Sequence, residues 1–256
     1  MKTIDLNADI GEADSPEWAA SEAAIVKAIS SANIACGGHA GDAASMRLTV
    51  RNAKAAGVTI GAHPAYPDRA NFGRTSLILG EDIEAKALAE TLRAQILELA
   101  GICAAEDMRL AYVKPHGALY NDSVFDREKA ELIARVIADL NMGLMLLGGP
   151  NSQMGRAAQT HGLAFVAEGF IDRRYTDDGH LLSRKIDGAV IKDPAVRLAQ
   201  ARALATTGEV QTASGKTLTL KTGSLCVHGD SAGAVKTARQ ARAALEAEGL
   251  TIKAFA

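Results

Sequence analysis

Leu110-Ala111-Tyr112-Val113-Lys114-Pro115-His116-Gly117 is the stretch that decides the fold: an apolar, strand-like run that closes on a cation, a proline, a histidine and a glycine. Lys114 and His116 are two residues apart, so they share a face at the strand end, where an ammonium group is costly without an anionic partner. Five other clusters close apolar runs in the same way: Asn7-Ala8-Asp9, His39-Ala40-Gly41-Asp42, Ala62-His63-Pro64, Glu168 to Tyr175, and His228-Gly229-Asp230. Four of the six histidines stand at these points. In a parallel α/β barrel every strand delivers its last residues to one mouth, so clusters scattered over the chain can build a single site.

The segments between these runs read as helices. Pro16 to about Ile29 opens with Ser15 as cap and proline at the first helical position. Ala43 to Ala56 stops at Gly57, and Leu88, Leu92, Ile96 and Leu99 keep a helical period between Asp82 and Ala104. Further helices are expected at Asp126–Leu140, Ser152–Thr160, Pro194–Thr206 and Ala232–Glu248. The strands fall at Thr3–Ala8, Ala32–Cys36, Val58–Ala62, Leu110–Val113, Leu144–Leu147, Ala164–Ala167 and Leu225–Val227, with a terminal strand in Leu250–Phe255. Alternation about Ser214-Gly215 marks a β-hairpin excursion near 209–221. No Gly/Ser- or Pro-rich linker interrupts the alternation. The expectation is one α/β domain over 1–256, a seven-stranded or distorted eight-stranded β/α barrel, with an open doubly wound sheet as the alternative.

A chain of 256 residues can bury about three quarters of its unfolded surface. A net charge of −2 without blocks of like charge gives no reason to expect nucleic acid or a membrane surface as partner. No apolar run approaches the ~20 residues of a membrane span, and the first residues run straight into a strand. Cys36, Cys103 and Cys226 are odd in number and far apart, which suits a reducing, cytoplasmic setting, with Cys36 and Cys226 in the core.

The cluster residues define the candidate chemistry. Asp9 can bind a metal or act as general base, and Asn7 and Glu12 flank it as substrate contacts. His39 and Asp42 bracket Gly41, where a ligand can approach the backbone; Asp42 reads equally as a helix cap. Lys114 suits an oxyanion or phosphate, or a plain salt bridge to a barrel carboxylate. Asp230 is placed to orient His228 and set its tautomer. Arg173, Tyr175 and Arg184 offer donors for a substrate carboxylate. A divalent metal would find Asp9, His39 and His63 as ligands, although no histidine or cysteine pair has helical ligand spacing. The chain lacks G-x-x-x-x-G-K-[ST] and G-x-S-x-G, so neither a Walker-type nucleotide loop nor a serine-hydrolase elbow is indicated.

Asp5-Leu6-Asn7-Ala8-Asp9-Ile10-Gly11-Glu12, Ala32 to Asp42, Gly61-Ala62-His63-Pro64 with Tyr66-Pro67-Asp68, Val113 to Asn121, and Cys226-Val227-His228-Gly229-Asp230 together resemble the LamB/YcsF family, across essentially the whole chain. Gly38, Ala65, Thr75 and Ser183 depart from that pattern, where Phe, Ser, Arg and Pro are expected. The resemblance implies a seven-stranded barrel akin to glycoside hydrolases and deacetylases. It also implies ATP-dependent opening of 5-oxoproline to glutamate, ATP being a co-substrate of an assembly with partner subunits B and C. On that reading Asp9 or a barrel histidine is the base toward water and His116 or His228 the acid toward the ring nitrogen. Lys114 would be the oxyanion or phosphate stabiliser and the arginine loop the carboxylate clamp. The rival expectations are a stand-alone metal-dependent amidase or sugar deacetylase, and a noncatalytic binding subunit.

Overall fold

The computed structural model describes residues 2–228 and 233–256. Seven parallel strands form a closed ring: β1 (Thr3–Ile10), β2 (Ser31–Ala35), β3 (Thr59–His63), β4 (Leu110–Val113), β5 (Met145–Gly148), β6 (Phe165–Phe170) and, late in the chain, β9 (Ser224–Val227), which returns to β1. An antiparallel hairpin, β7 (Glu209–Gln211) and β8 (Thr217–Thr219), lies outside the ring where the alternation about Ser214-Gly215 places it. The short β10 (Thr251–Ile252) pairs with Thr3 and Ile4, whereas Asp5 to Ala8 pair with β9. One strand thus serves two neighbours in succession.

Among the described residues eight α-helices surround the ring: α1 (Pro16–Val26), α2 (Ala43–Ala56), α3 (Ala85–Ala105), α4 (Gly117–Phe125), α5 (Arg127–Asp139), α6 (Gln153–Thr160), α7 (Pro194–Thr206) and α8 (Ala234–Ala247). Ser15 and Asp193 cap their helices ahead of a proline, and Gly57 ends α2 in the left-handed region. Three differences from expectation bear on the architecture around the site. α3 begins at Ala85 because residues 78–83 close a turn, with Asp82 accepting from the Ile78 N–H at 2.9 Å. α4 runs against expectation, since Asn121, Asp122 and Ser123 are weak helix formers; it forms because Ala118, Leu119 and Tyr120 bury against the core and Ser123 returns its hydroxyl to Leu119 O at 2.6 Å. β6 extends to Phe170, so Glu168 lies within a strand.

Period-two alternation divides β1 between two environments. Leu6, Ala8 and Ile10 face the helices in the apolar core. Asp5, Asn7 and Asp9 face the lumen, where they meet Ser31, Asn33, Lys114, Glu168, Ser224 and Cys226 from other strands. The oily layer of this barrel therefore lies between strands and helices, and its interior is a hydrogen-bonded polar column. Gly61 makes that column possible: a Cβ there would stand 2.1 Å from the Tyr112 ring, which crosses the lumen over it to bond Asn33 Oδ1 at 2.6 Å.

Candidate active site

At the base of the column, Asp5 accepts from Ser30 and Ser31 at 2.6 and 2.7 Å and makes a very short bond with Ser224. Burial raises its pKa above the ordinary carboxylate value. One layer up, Asn7 donates to Ser224 Oγ at 2.6 Å and Glu168 Oε2 at 3.3 Å and accepts from Asn33 at 2.7 Å. Asn7 is fully buried and is absent from the cavity wall, so it supports the site from below.

Lys114 stands above Asn7. Its Nζ lies 2.9 Å from Asp9 Oδ1, 3.1 Å from Glu168 Oε2, 3.3 Å from Cys226 Sγ and 3.4 Å from Asn7 Oδ1. An ammonium has three N–H bonds, and these acceptors occupy all of them. Burial opposes the charge, but Asp9, Cys226 and Glu168 outweigh it and hold the Lys114 pKa well above its usual value. In Asp9 burial works upward; His63 and Lys114 overcome it, so the carboxyl stays ionised well below the usual range. The free-ammonium role expected for Lys114 thus meets a saturated donor. Its bond to Glu168 has no signature in the sequence, because Glu168 lies mid-strand, 54 positions away.

Beside this pair, four side chains converge from four strand ends. His39 and His116 stack at a centroid distance of 3.5 Å, and Glu12 Oε1 lies 2.9 Å from His39 Nε2 and 3.4 Å from His116 Nδ1. His63 Nδ1 donates to Lys114 O at 2.8 Å and His116 Nε2 donates to Phe72 O at 3.0 Å. These carbonyls fix both tautomers. The remaining nitrogens, His63 Nε2 and His116 Nδ1, lie 3.0 Å apart, and two lone pairs at that distance are relieved either by a proton on one of them or by a bound cation. Burial and the neighbouring His63 lower His39 to about 2, and burial with His63 and His39 lowers His116 as well, so both rings are neutral. Three imidazoles and one carboxylate, with donor atoms all within 4.8 Å of one another, fit a divalent metal. The candidate ligand set is Glu12, His39, His63 and His116; Asp9, one of the expected ligands, lies 3.4 Å from His63 Nε2 but is held by Lys114 and by Asn33 Nδ2 at 2.7 Å. A second grouping, Asp9, Cys226 and His228, already contains the Lys114 ammonium, whose charge repels a metal ion.

Across the mouth, His228 Nδ1 lies 2.9 and 2.8 Å from the two oxygens of Asp172. Burial would raise Asp172, but His228 prevails and keeps it below the usual carboxylate value. Nδ1–H therefore donates, leaving Nε2 as the lone-pair nitrogen of a ring that lines the cavity. Asp172 is a partner for His228 that the sequence did not offer; Asp230, the expected one, lies outside the described residues together with the expected helix start at Ala232. Asp42 is exposed and caps α2, accepting from Ala44 N and Ser45 N at 3.0 and 2.8 Å; its carboxylate is spent on backbone donors away from the mouth.

These residues border a cavity of about 810 Å³. Asp9, Glu12, His63, Lys114 and His116 lie at one end, and Arg173, Tyr175, Arg184 and His228 also line it. Tyr175 is buried, its hydroxyl oxygen accepting from Phe170 N at 2.7 Å. Gly38 leaves room that the Gln95 side chain fills, and Gln95 closes both backbone bonds of Ala65, at 3.0 and 2.9 Å. Two of the sequence departures thus share one replacement contact.

A parallel β/α barrel whose strand ends carry buried, paired ionisable groups around a deep cavity belongs to the class of barrel enzymes. The chain belongs to the LamB/YcsF family, which matches residues 4–256. It is 42% identical over 254 residues to the 5-oxoprolinase A subunit of Methylococcus capsulatus, covering 99% of this chain and 96% of that one. With the corresponding 5-oxoprolinase chain of Paracidovorax citrulli the identity is 43%, covering 99% of each chain. The crystal structure of the lactam utilization protein from Thermus thermophilus superposes with a TM-score of 0.90 at 36% identity, covering 100% of both chains.

Proposed function

We propose that this chain opens the ring of 5-oxoproline or a close lactam, as the hydrolytic component of an ATP-dependent assembly with subunits B and C. The observation that carries the reading is the Asp172–His228 pair facing the cavity, with Nε2 left as base; the names of the relatives supply the substrate class. A lactam is a stable amide. Phosphorylation of its carbonyl oxygen makes the carbon a better electrophile, and with no nucleotide loop in this chain that step falls to the partners.

His228 Nε2 takes a proton from water as its oxygen bonds to the activated carbonyl carbon and passes it to the ring nitrogen as the C–N bond breaks, which leaves an acyl phosphate; a second water adds to that acyl carbon, and glutamate and inorganic phosphate are released as the bond to the phosphate oxygen breaks. Asp172 keeps the imidazole in the required tautomer. Asp9 stays ionised because Lys114 is spent on holding it, and Arg173 and Arg184 bind the anionic part of the substrate. Glu12, His39, His63 and His116 would hold a divalent metal, which supplies Lewis-acid polarisation of an oxygen. That cluster favours a second reading, a stand-alone metal-dependent amidase or deacetylase. No helix among the described residues is long and apolar enough to cross a membrane; three buried free cysteines support a cytoplasmic setting.

The test is glutamate formation from 5-oxoproline, with and without ATP and with and without the partner subunits. Turnover only in the complete mixture supports the proposal. ATP-independent amide or acetyl hydrolysis by the metal-loaded chain alone would establish the second reading in its place.

A further inference from the structure

The cavity has a positive pole at Arg173 and Arg184, and its charge bears on which anion the substrate presents there. Arg173 is nine-tenths buried, yet among the described residues its guanidinium makes one hydrogen bond, from Nη2 to Leu182 O at 2.6 Å, and its Nε has no acceptor. Arg184 lines the same cavity and is exposed, as is Lys185, whereas Arg74 lies over the Phe72 ring at the histidine end. The carboxylate adjoining Arg173 in sequence, Asp172, has both oxygens on His228 Nδ1. At the opposite end the acidic side chains are engaged, Asp9 with Lys114 and Glu12 with His39. Burial, then the nearby Arg184, lowers Arg173 to about 10, the direction expected of a buried cation short of counter-charge.

We infer that the Arg173–Arg184 pole is a phosphoryl-binding site, built for a dianionic phosphate carried on the substrate and not for a carboxylate alone. Arg173 and Arg184, with Lys185 next in sequence, carry more charge than a single carboxylate neutralises, and planar guanidinium forks match phosphate oxygens in pairs. The cavity volume is that of a drug-sized ligand, several times the space one five-membered ring fills. The inference rests on the proposed ring opening only for the identity of the molecule that carries the phosphate; the anion site itself rests on the buried Arg173 and its open Nε.

Isothermal titration of the purified full chain with inorganic phosphate, and separately with acetate, tests it without any turnover. Phosphate is expected to bind, with Arg184→Ala weakening it about tenfold or more and acetate binding far more weakly. Because Arg173 is buried, Arg173→Lys is followed by circular dichroism, and the exposed Arg184→Ala keeps the test decisive if Arg173→Lys misfolds. Three results overturn the inference: no phosphate binding at tens of millimolar, binding unchanged in Arg184→Ala, or acetate bound as tightly as phosphate. Phosphate binding without glutamate formation in the reconstituted mixture would retire the proposed activity and leave the site standing; glutamate formation without phosphate binding would do the reverse.

Discussion

Replacing Lys114 by methionine separates a structural cation from a catalytic one. The substitution keeps the stem volume and removes the charge that lies 2.9 Å from Asp9 and 3.1 Å from Glu168, both deep in the barrel. Breaking a buried pair by deleting one partner costs about 3–5 kcal/mol. At about 2–4 °C per kcal/mol for a chain of this size, the melting temperature should fall by about 6–20 °C at neutral pH. The Asp9 pKa is depressed in the folded protein, so its contribution is present above the unfolded value of 3.8 and is lost as pH falls through the lower folded value. The gap between wild type and Lys114→Met should accordingly narrow in acid, where protonation removes the unpaired charge. Adding Glu168→Gln should restore about 1–2 kcal/mol of the loss, as coupled neighbours do. Calorimetry across pH, with reconstituted turnover per folded molecule, measures all of this. A melting temperature within a degree or two of wild type, combined with a turnover loss of about 10²–10³-fold, would refute the saturated-donor argument and return Lys114 to the reacting oxygen.

Asp172→Asn should leave folding intact and lower kcat about 10²-fold or more, with a shifted acidic limb in the pH–rate profile, because the His228 tautomer is no longer fixed; an unchanged profile would remove His228 as the base. Gly61→Ala drives a methyl into the Tyr112 ring and breaks its bond to Asn33, so denaturant unfolding should show a loss of about 3 kcal/mol or more, against about 1 kcal/mol for Tyr112→Phe. Burial raises Glu22 from 4.5 to about 7. The folded value is the higher one, so stability is greatest below pH 4.5 and declines as pH rises to about 7, by up to about 3 kcal/mol; Glu22→Gln should flatten that slope in urea titrations.

The ring of strands was readable because each apolar run ends in a polar cluster, and Lys114, His116 and His63 mark strand ends by residue type alone. Partnership was not readable. Asp230 is the acid close to His228 in sequence, whereas Asp172 reaches it across 56 positions because β6 and β9 are neighbours in the ring. Glu168 opens one of the polar clusters, but nothing in the sequence marks it as the partner of Lys114. Asp42 satisfies both a site pattern and a capping pattern, and its bonds to Ala44 and Ser45 show the second. α4 is hidden in the sequence because its polar residues disfavour a helix that tertiary burial supplies.

The two partners of β1 bear on how the chain is made. Asp5 bonds Ser224 across 219 positions, and the ring cannot shut until β9 arrives. A nascent chain that has β1 to β6 therefore holds an open trough lined by Asp5, Asn7, Asp9, Asn33, Lys114 and Glu168. Such a trough fills with water where an oily one would adhere to neighbouring chains, so the polar lumen that later surrounds the reacting groups also keeps the unfinished barrel from aggregating while it waits for its last strand.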